Sequence, residues 1–337
     1  MAFVSDPELE PQPRNAPPGH WPDFTTYYLR YPVGMREVVR LTIGGVGDDA
    51  PAFIGRAVEA LQGPDAPLTL ERGRVMVPAD PHTEILFAYW DDPDAHRRWS
   101  EGEACARLFD EAASAHWRET AFLPLTHTET HFAQKTRETG LGRVPGTDHA
   151  FCPMVGYWGS ARDRIPIAAH DPLEPGPTVP APSSTGEGAL TVAAPANLCT
   201  IRTSQNWQGS PAEHLEWYDQ EVEPVLRAGV EHLHAEPVDS GCLSVRYIRE
   251  TDLDGNDVDR TCVLAHFRSM ADLERWARDH PTHHAIFEVA MEMVRRFGED
   301  LGIRLFHEVS VLPAGRFDAA YVGCEDDTGI LRSVEAG

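Results

Sequence analysis

The chain has 337 residues, with 29 Lys and Arg against 53 Asp and Glu, giving a formal net charge of −24. A surface this acidic repels phosphate backbones and anionic lipid, which excludes nucleic-acid or membrane-surface binding as the main function. No apolar run approaches the roughly 18 residues that span a bilayer, and the N-terminus lacks a secretory signal pattern. The six cysteines stand singly, as is typical of reduced thiols. We therefore expect a cytoplasmic protein.

Two segments divide the chain into halves. Residues 1–22 are rich in Pro and polar side chains and are predicted to form an extended arm. Residues 166–190 contain six prolines and almost no apolar periodicity, which predicts a long surface loop or linker. We therefore expect a first α+β repeat over residues 23–165 and a second over residues 191–337.

The two halves share a sequence pattern. Residues 85–109 and 263–287 each contain an apolar strand pattern, a short polar turn and a helix pattern. One constant offset aligns the two segments without a gap and places Trp99 opposite Trp276. Such self-similarity indicates an internal duplication.

Two further patterns complete the predicted fold. A shorter match aligns residues 125–127 with residues 305–307. Between strand patterns at 243–249 and 261–267, Asp254-Gly255 predicts a hairpin turn, since the glycine is misplaced for a calcium-binding loop. We expect an α+β fold of two pseudo-dimeric, ferredoxin-like repeats that form an antiparallel β-barrel flanked by helices.

Residues 277–297 contain the most informative helix pattern. Pro281 suits the first helical turn, because backbone N–H groups there have no acceptor within the helix and the one that proline lacks is not needed. The apolar positions at helical spacing from His283 are Phe287, Ala290, Val294 and Phe297. A histidine on such a stripe is either a core residue hydrogen-bonded to a carbonyl or an axial ligand of haem iron, and the residues alone leave both open. No H-E-x-x-H motif indicates hydrolytic zinc.

Residues 302–312 alternate between the two faces of a predicted strand. Leu305, His307 and Val309 share the apolar face, which we expect to point inward, and Glu308 lies on the opposite face. His307 is again either a hydrogen-bonded core residue or an acid–base group. Two inward histidines in one half favour a pairing of metal ligand and acid–base residue.

Polar side chains in two other segments are candidates for the same site. Residues 156–166 contain Arg164, and residues 199–207 contain Thr203 beside Arg202. In an enclosed site, an arginine supplies donors that stay charged at physiological pH. On a solvated face the same residues form ordinary ion pairs, so these segments alone indicate little.

Taken together, these residues resemble the aldoxime dehydratases, haem-dependent enzymes of nitrile metabolism. The matching stretches are GYWGSARDR (156–164), IRTSQNW (201–207), DLDGN (252–256), LERWARDHPTH (273–283) and RLFHEVSV (304–311). The likeness covers most of the chain except the arm and the Pro-rich linker. It implies a lyase that removes water from a small-molecule aldoxime to give a nitrile, with haem b that is ferrous in the active state. It also implies a homodimer.

The resemblance implies residue roles as well. His283 corresponds to the axial ligand of the haem iron, His307 to the distal acid–base histidine and Arg164 to a distal arginine. Thr203 stands where the better-known members have Ser, which keeps a hydroxyl and adds a methyl group. Glu129, within the short stretch TETHF, corresponds to a pocket carboxylate.

The residue types leave other functions open. A haem peroxidase or monooxygenase on a similar barrel would use the distal histidine and arginine to cleave an O–O bond instead of an N–O bond. A non-catalytic haem carrier or sensor would use His283 without distal chemistry. A duplicated α+β barrel without a metal would use neither histidine for chemistry.

Overall fold

The computed structural model describes residues 6–79, 81–176, 183–184 and 189–334. Its strands are β1 (Tyr27–Arg30), β2 (Glu37–Val46), β3 (Thr69–Val77), β4 (Thr83–Trp90), β5 (His116–Pro124), β6 (Thr128–Phe132), β7 (Asp148–Phe151), β8 (Ser183–Ser184), β9 (Ala189–Ala193), β10 (Leu198–Asn206), β11 (Cys242–Thr251), β12 (Asp257–Phe267), β13 (Arg304–Leu312) and β14 (Phe317–Val322). Its helices are α1 (Ala50–Ala60), α2 (Pro93–Ser100), α3 (Glu103–Asp110), α4 (Ser160–Arg164), α5 (Ala212–Trp217), α6 (Glu223–Ala235), α7 (Pro237–Ser240), α8 (Met270–Asp279) and α9 (Pro281–Phe297).

The strands form one antiparallel sheet in the order β7-β1-β6-β13-β10-β12-β11-β3-β4-β2-β5-β14-β9-β8. This confirms the predicted α+β class with an antiparallel sheet, whereas the predicted closed barrel is wrong. The sheet curls until Cα atoms of β5 and β13 lie within 8 Å of each other. The outer edge of β5 is hydrogen-bonded to β14 and that of β13 to β6, so neither edge is free to close the barrel.

The two halves have the same order of elements. In each half, a strand, one or more helices, two strands, two helices and a strand follow one another, as β2 to β5 and as β10 to β13. The halves meet where β3 pairs with β11. Trp99 and Trp276 lie at matching places on α2 and α8. The shorter match fails, because residues 125–127 form a 3₁₀ turn after β5 while residues 305–307 belong to β13.

Local chemistry explains two elements that flank the site. Helix α9 begins at Pro281 as predicted, with the His280 ring accepting the N–H of Thr282 as an N-cap. The hairpin between β11 and β12 turns at Gly255, whose φ of 94° favours glycine. The Asp252 carboxylate accepts two backbone N–H groups within that turn.

The concave interior of the curled sheet is lined by buried ion pairs. Arg40 contacts Glu308 at 3.2 Å and Arg246 contacts Glu119 at 2.7 Å. Arg202 contacts Glu71 at 2.5 Å. Each pair joins a strand of one half to a strand of the other, so the pairs hold the two halves together across the interior.

The other face of β10 to β13 packs against helices and forms an apolar layer. Its buried members include Leu226, Val230, Val263, Ala265, Met270, Leu273 and Val309. Gly229 on α6 lets α9 approach closely, because a Cβ there would lie 2.6 Å from Cδ1 of Ile286. We call this region between the sheet and α6, α8 and α9 the apolar layer.

The segments predicted as arm and linker make specific contacts where they are described. Asn15 donates its backbone N–H to the Asp163 carboxylate at 2.8 Å. Of the Pro-rich stretch, Pro166–Ala169 forms a 3₁₀ turn and Leu173 is buried in the apolar layer. Residues 177–182 and 185–188 lie outside the described residues. Within the described ranges, no helix has the length and apolar character needed to cross a membrane.

Candidate active site

Three polar side chains lie in one row across neighbouring strands. Thr203 on β10 is the register partner of His307 on β13, and His307 is the partner of His131 on β6. Ile201, Val309 and Glu129 form the adjacent row in the same register. Because side chains two residues apart on a strand share a face, both rows lie on the face that the apolar layer covers.

Glu129, Arg164 and His307 form a compact charged cluster. Nε of Arg164 donates to the Glu129 carboxylate at 2.7 Å, and Nη2 lies 3.0 Å from Nε2 of His307. The same His307 nitrogen lies 3.2 Å from Glu129 Oε1. Burial alone would raise the pKa of Glu129, but the charges of Arg164 and His307 outweigh it and lower that pKa to about 2. Glu129 is therefore a carboxylate at neutral pH.

The contacts of His307 depend on its protonation. When Nε2 carries no proton, it accepts a hydrogen bond from Arg164, which is always a donor. When Nε2 is protonated, it donates to Glu129 instead. One nitrogen thus has a partner in either state. The His307 side chain is 28% exposed, so the remainder of the ring is accessible.

Arg164 is held in place by its own short helix. Its Nη1 donates to the carbonyl of Met154 at 2.7 Å. The preceding Asp163 accepts hydrogen bonds from Asn15 and from the Tyr157 hydroxyl, which fixes the end of α4. Every polar arm of the Arg164 guanidinium therefore has a defined acceptor, and its orientation is fixed before any ligand binds.

The register separates Thr203 from its neighbours in sequence. Thr203 lies beside His307, and its hydroxyl donates to the Phe306 carbonyl at 3.3 Å. Ser204 points to the opposite face, where its hydroxyl is buried without a partner among the described residues. Arg202 also lies on that face, in the interior ion pairs. Only Thr203 of these three lies beside the charged cluster.

His283 lies on the helical side of the apolar layer. Its ring packs edge-on against Trp276, with 4.8 Å between ring centroids. Burial lowers the pKa of His283 to about 4, with a weak opposing effect of the Ala277 backbone, so the ring is neutral at physiological pH. Nδ1 is buried without a hydrogen bond of normal geometry. Neutral imidazole is the form that binds a metal.

The structure thus brings four of the five predicted residues together and places the fifth on the opposite wall. The sheet wall carries the cluster and Thr203, and α9 carries His283. One apolar layer connects them, since Trp276 and Ile286 beside His283 pack in the same cluster as Ile201 and Val309. Helix α4 bridges the walls, because its Arg162 forms an ion pair of 2.7 Å with Glu274 on α8.

The residues on α9 fit a flat apolar group with one axial nitrogen ligand, which is what the resemblance implies for haem. Met293 is the only buried residue of α9 among those described, although the helix carries the long apolar stripe that starts at His283. Phe287, one turn after His283, is 44% exposed, and Trp158, which lies beside it, is 52% exposed. Apolar side chains left open beside a neutral histidine are suited to the face of a porphyrin.

One member of the site was missed by the sequence reasoning. His131 lies two residues after Glu129 in the stretch TETHF, and its ring stacks on His307. The alternation of a strand places residues 129 and 131 on one face, so the signal was present. It was overlooked because five residues are too few to establish a strand.

Comparison with known proteins identifies the family of this chain. The model of the haem-containing dehydratase family matches residues 48–330. Phenylacetaldoxime dehydratase of Bacillus sp. (strain OxB-1) is 32% identical over 94% of both chains. Aliphatic aldoxime dehydratase of Pseudomonas sp. is 31% identical over 96% of this chain and 94% of that one. The crystal structure of an aldoxime dehydratase (OxdRE) with butyraldoxime superposes with a TM-score of 0.89 at 26% identity, covering 98% of this chain and 96% of that chain. This protein belongs to the haem-containing dehydratase family.

Proposed function

We propose that this protein dehydrates small aliphatic or arylaliphatic aldoximes, R–CH=N–OH, to nitriles and water. The observation that carries the proposal is the cluster of Glu129, Arg164 and His307 on the wall opposite His283. The activities in the names of the phenylacetaldoxime and aliphatic aldoxime dehydratases that it matches support the same reaction. The reaction has no net redox change, so it needs no nicotinamide.

His283 is the residue that would hold haem b. When bound, ferrous haem would supply an electron-rich iron that favours breaking of the N–O bond. Trp276 packs edge-on against the His283 ring and orients it.

His307 moves both protons of the reaction. With Nε2 held by Glu129, Nδ1 is the nitrogen that exchanges protons with the substrate. The charged ring donates the Nδ1 proton to the oxime hydroxyl, so water rather than hydroxide leaves as the N–O bond breaks. The ring, now neutral, accepts the proton from the oxime carbon as the C≡N bond forms. His307 thereby returns to its starting state.

The neighbours of His307 prepare and position these transfers. Glu129 stabilises the charged ring before the reaction, and Arg164 fixes the carboxylate through two hydrogen bonds. Thr203, the register partner of His307, would hold the oxime oxygen through its hydroxyl. The added methyl group of Thr relative to Ser narrows the space for the substrate next to that oxygen.

We also propose a finer description of the whole chain. The two halves are ferredoxin-like repeats, within the boundaries 23–165 and 191–337, with 1–22 as an arm and 166–190 as a linker. The support is the shared order of elements and the matching strand orders β3-β4-β2-β5 and β11-β12-β10-β13.

We further propose a cytoplasmic homodimer. The six free thiols agree with a reducing compartment, and light scattering tests the dimer.

The decisive experiment is an anaerobic assay of the haem-loaded protein with phenylacetaldoxime and butyraldoxime, in dithionite and in its absence, with nitrile measured by chromatography. We expect nitrile only from the reduced protein.

Glu129→Gln removes the charge but keeps the shape of the side chain, and kcat should fall about 10- to 100-fold with haem retained. Glu37→Gln removes the partner of Arg316, 2.9 Å away and outside the site, and serves as the matched control, with kcat within about twofold. No nitrile from the reduced protein, or equal turnover by the ferric protein, would refute the proposal.

A further inference from the structure

His131 is the third member of the polar row, and the roles proposed above leave it unused. It lies on β6 directly opposite His307. The two rings are stacked, with 4.8 Å between centroids and 25° between planes. His131 therefore covers one face of the acid–base ring.

The His131 ring contributes neither a hydrogen bond through Nε2 nor a charge. Nε2 is buried with no hydrogen-bond partner among the described residues, which costs roughly 1–3 kcal/mol. Burial, with the positive charges of Arg164 and His307, holds the pKa of His131 well below its usual value, so the ring is neutral. A neutral ring with an unsatisfied nitrogen is useful here for its flat face.

The contacts of His307 explain why a flat neighbour matters. Arg164 and Glu129 both meet the same atom, Nε2, at 3.0 Å and 3.2 Å. Two contacts at one atom fix that atom but leave the ring free to tilt about it. A ring stacked on its face removes this tilt, and so sets the direction in which Nδ1 exchanges protons.

We propose that His131 is a positioning residue, whose neutral ring holds the plane of His307 in the orientation required for proton transfer. This inference rests on the acid–base role proposed for His307. It requires the aromatic face of residue 131 and does not require its nitrogen atoms. Two substitutions therefore test the aromatic face and the nitrogen atoms of residue 131 separately.

His131→Phe keeps the stacked face and removes the unsatisfied nitrogen. We expect kcat within about twofold of the unaltered protein, the same pH profile, and no loss of thermal stability. His131→Ala removes the face, and we expect kcat to fall about 10- to 100-fold with KM little changed. His149→Ala is the matched control, because His149 also has a buried Nε2 without a partner among the described residues but contacts Phe132 instead of His307. Its kcat should stay within about twofold.

A second measurement is independent of the dehydratase activity. In haem-free protein with labelled histidine, His307 should give one sharp set of side-chain NMR resonances, which His131→Phe preserves and His131→Ala broadens or splits. A sharp single set in His131→Ala would overturn the proposal. So would unchanged kcat in His131→Ala, or an equal loss in His131→Phe, which would assign the effect to a nitrogen atom. If the unaltered protein converts no aldoxime, the proposed function fails while the NMR comparison still decides the positioning.

Discussion

The two halves of the molecule share an order of elements but fill the space between sheet and helices differently. In the first half, α1 and α2 seal that space, and Phe53, Ile54, Trp90 and Trp99 are buried there. In the second half, α9 leaves an apolar stripe half open beside His283. The second half therefore differs from the first in having a helix whose apolar stripe stays partly exposed.

The first half also contains a buried histidine close to a tryptophan. In the first half, His96 lies 5.0 Å from Trp90 and 5.7 Å from Phe122, ring to ring. Burial lowers the pKa of both His96 and His283 to about 4. His96 is enclosed by aromatic rings, whereas His283 borders the open stripe. A lowered pKa therefore does not distinguish a ligand from a core residue, but the surroundings do.

The first prediction compares alanine substitutions of His283 and His96. His283→Ala should lose at least nine-tenths of its haem. Because the site is half open, the free energy of unfolding of the haem-free variant should stay within about 1 kcal/mol of that of the unaltered protein. His96→Ala should keep full haem occupancy. Its free energy of unfolding should fall by about 2–4 kcal/mol, because the substitution leaves a cavity in a sealed core. Soret absorbance and urea unfolding measure the two quantities. Normal haem content in His283→Ala would transfer ligation to another residue.

The second contrast uses the two histidines that the sequence match had aligned. His307→Ala should retain haem and lower kcat about 100- to 10,000-fold, because no other group in the cluster moves protons. His127, in the 3₁₀ turn, bonds only to Thr126 at 2.9 Å among the described side chains, so His127→Ala should change kcat less than twofold. Steady-state kinetics on haem-loaded protein checks both. Comparable losses in the two variants would contradict the assignment of proton transfer to His307.

Local sequence patterns predicted the elements that carry the site. The alternation over 302–312 gave the strand of His307 with the correct face relative to Glu308. The Pro281 signal gave the first residue of α9. These features depend on neighbouring residues, so the period of a strand or helix is enough to find them.

Features made by distant residues were not predictable in the same way. Glu308 was expected opposite the inward face, yet the curled sheet buries both faces and pairs it with Arg40 on the other half. The contact of Arg164 with Glu129 joins an α-helix to a strand 35 residues earlier. Such pairs depend on how the sheet curls and which edges are occupied, and a single sequence contains no local signal for either.

The third prediction concerns the pH dependence of the sealed half. Burial, aided by the charge of Arg118, lowers the pKa of His96 from 6.5 to about 4 in the folded protein. The unfolded chain therefore takes up this proton first, so the contribution is intact above pH 6.5 and is lost as the pH falls towards 4. The loss is at most about 3 kcal/mol. In haem-free protein, His96→Phe should reduce this fall in the free energy of unfolding, and an identical pH dependence would contradict the assignment.

The smallest expected effects come from Trp276 and Trp99, whose indole N–H groups donate to different acceptors. Trp276 donates to the Thr282 hydroxyl at 3.2 Å, in the turn that precedes His283, whereas Trp99 donates to the Ala60 carbonyl at 2.8 Å, at the end of α1. Trp276→Phe keeps an aromatic edge against His283 but leaves the Thr282 hydroxyl with His280 as its side-chain partner, so the haem dissociation constant should rise about two- to fivefold. Trp99→Phe should instead cost about 1 kcal/mol of folding stability and leave haem affinity unchanged. If Trp99→Phe weakened haem binding as much as Trp276→Phe, the division between a sealing half and a binding half would not hold.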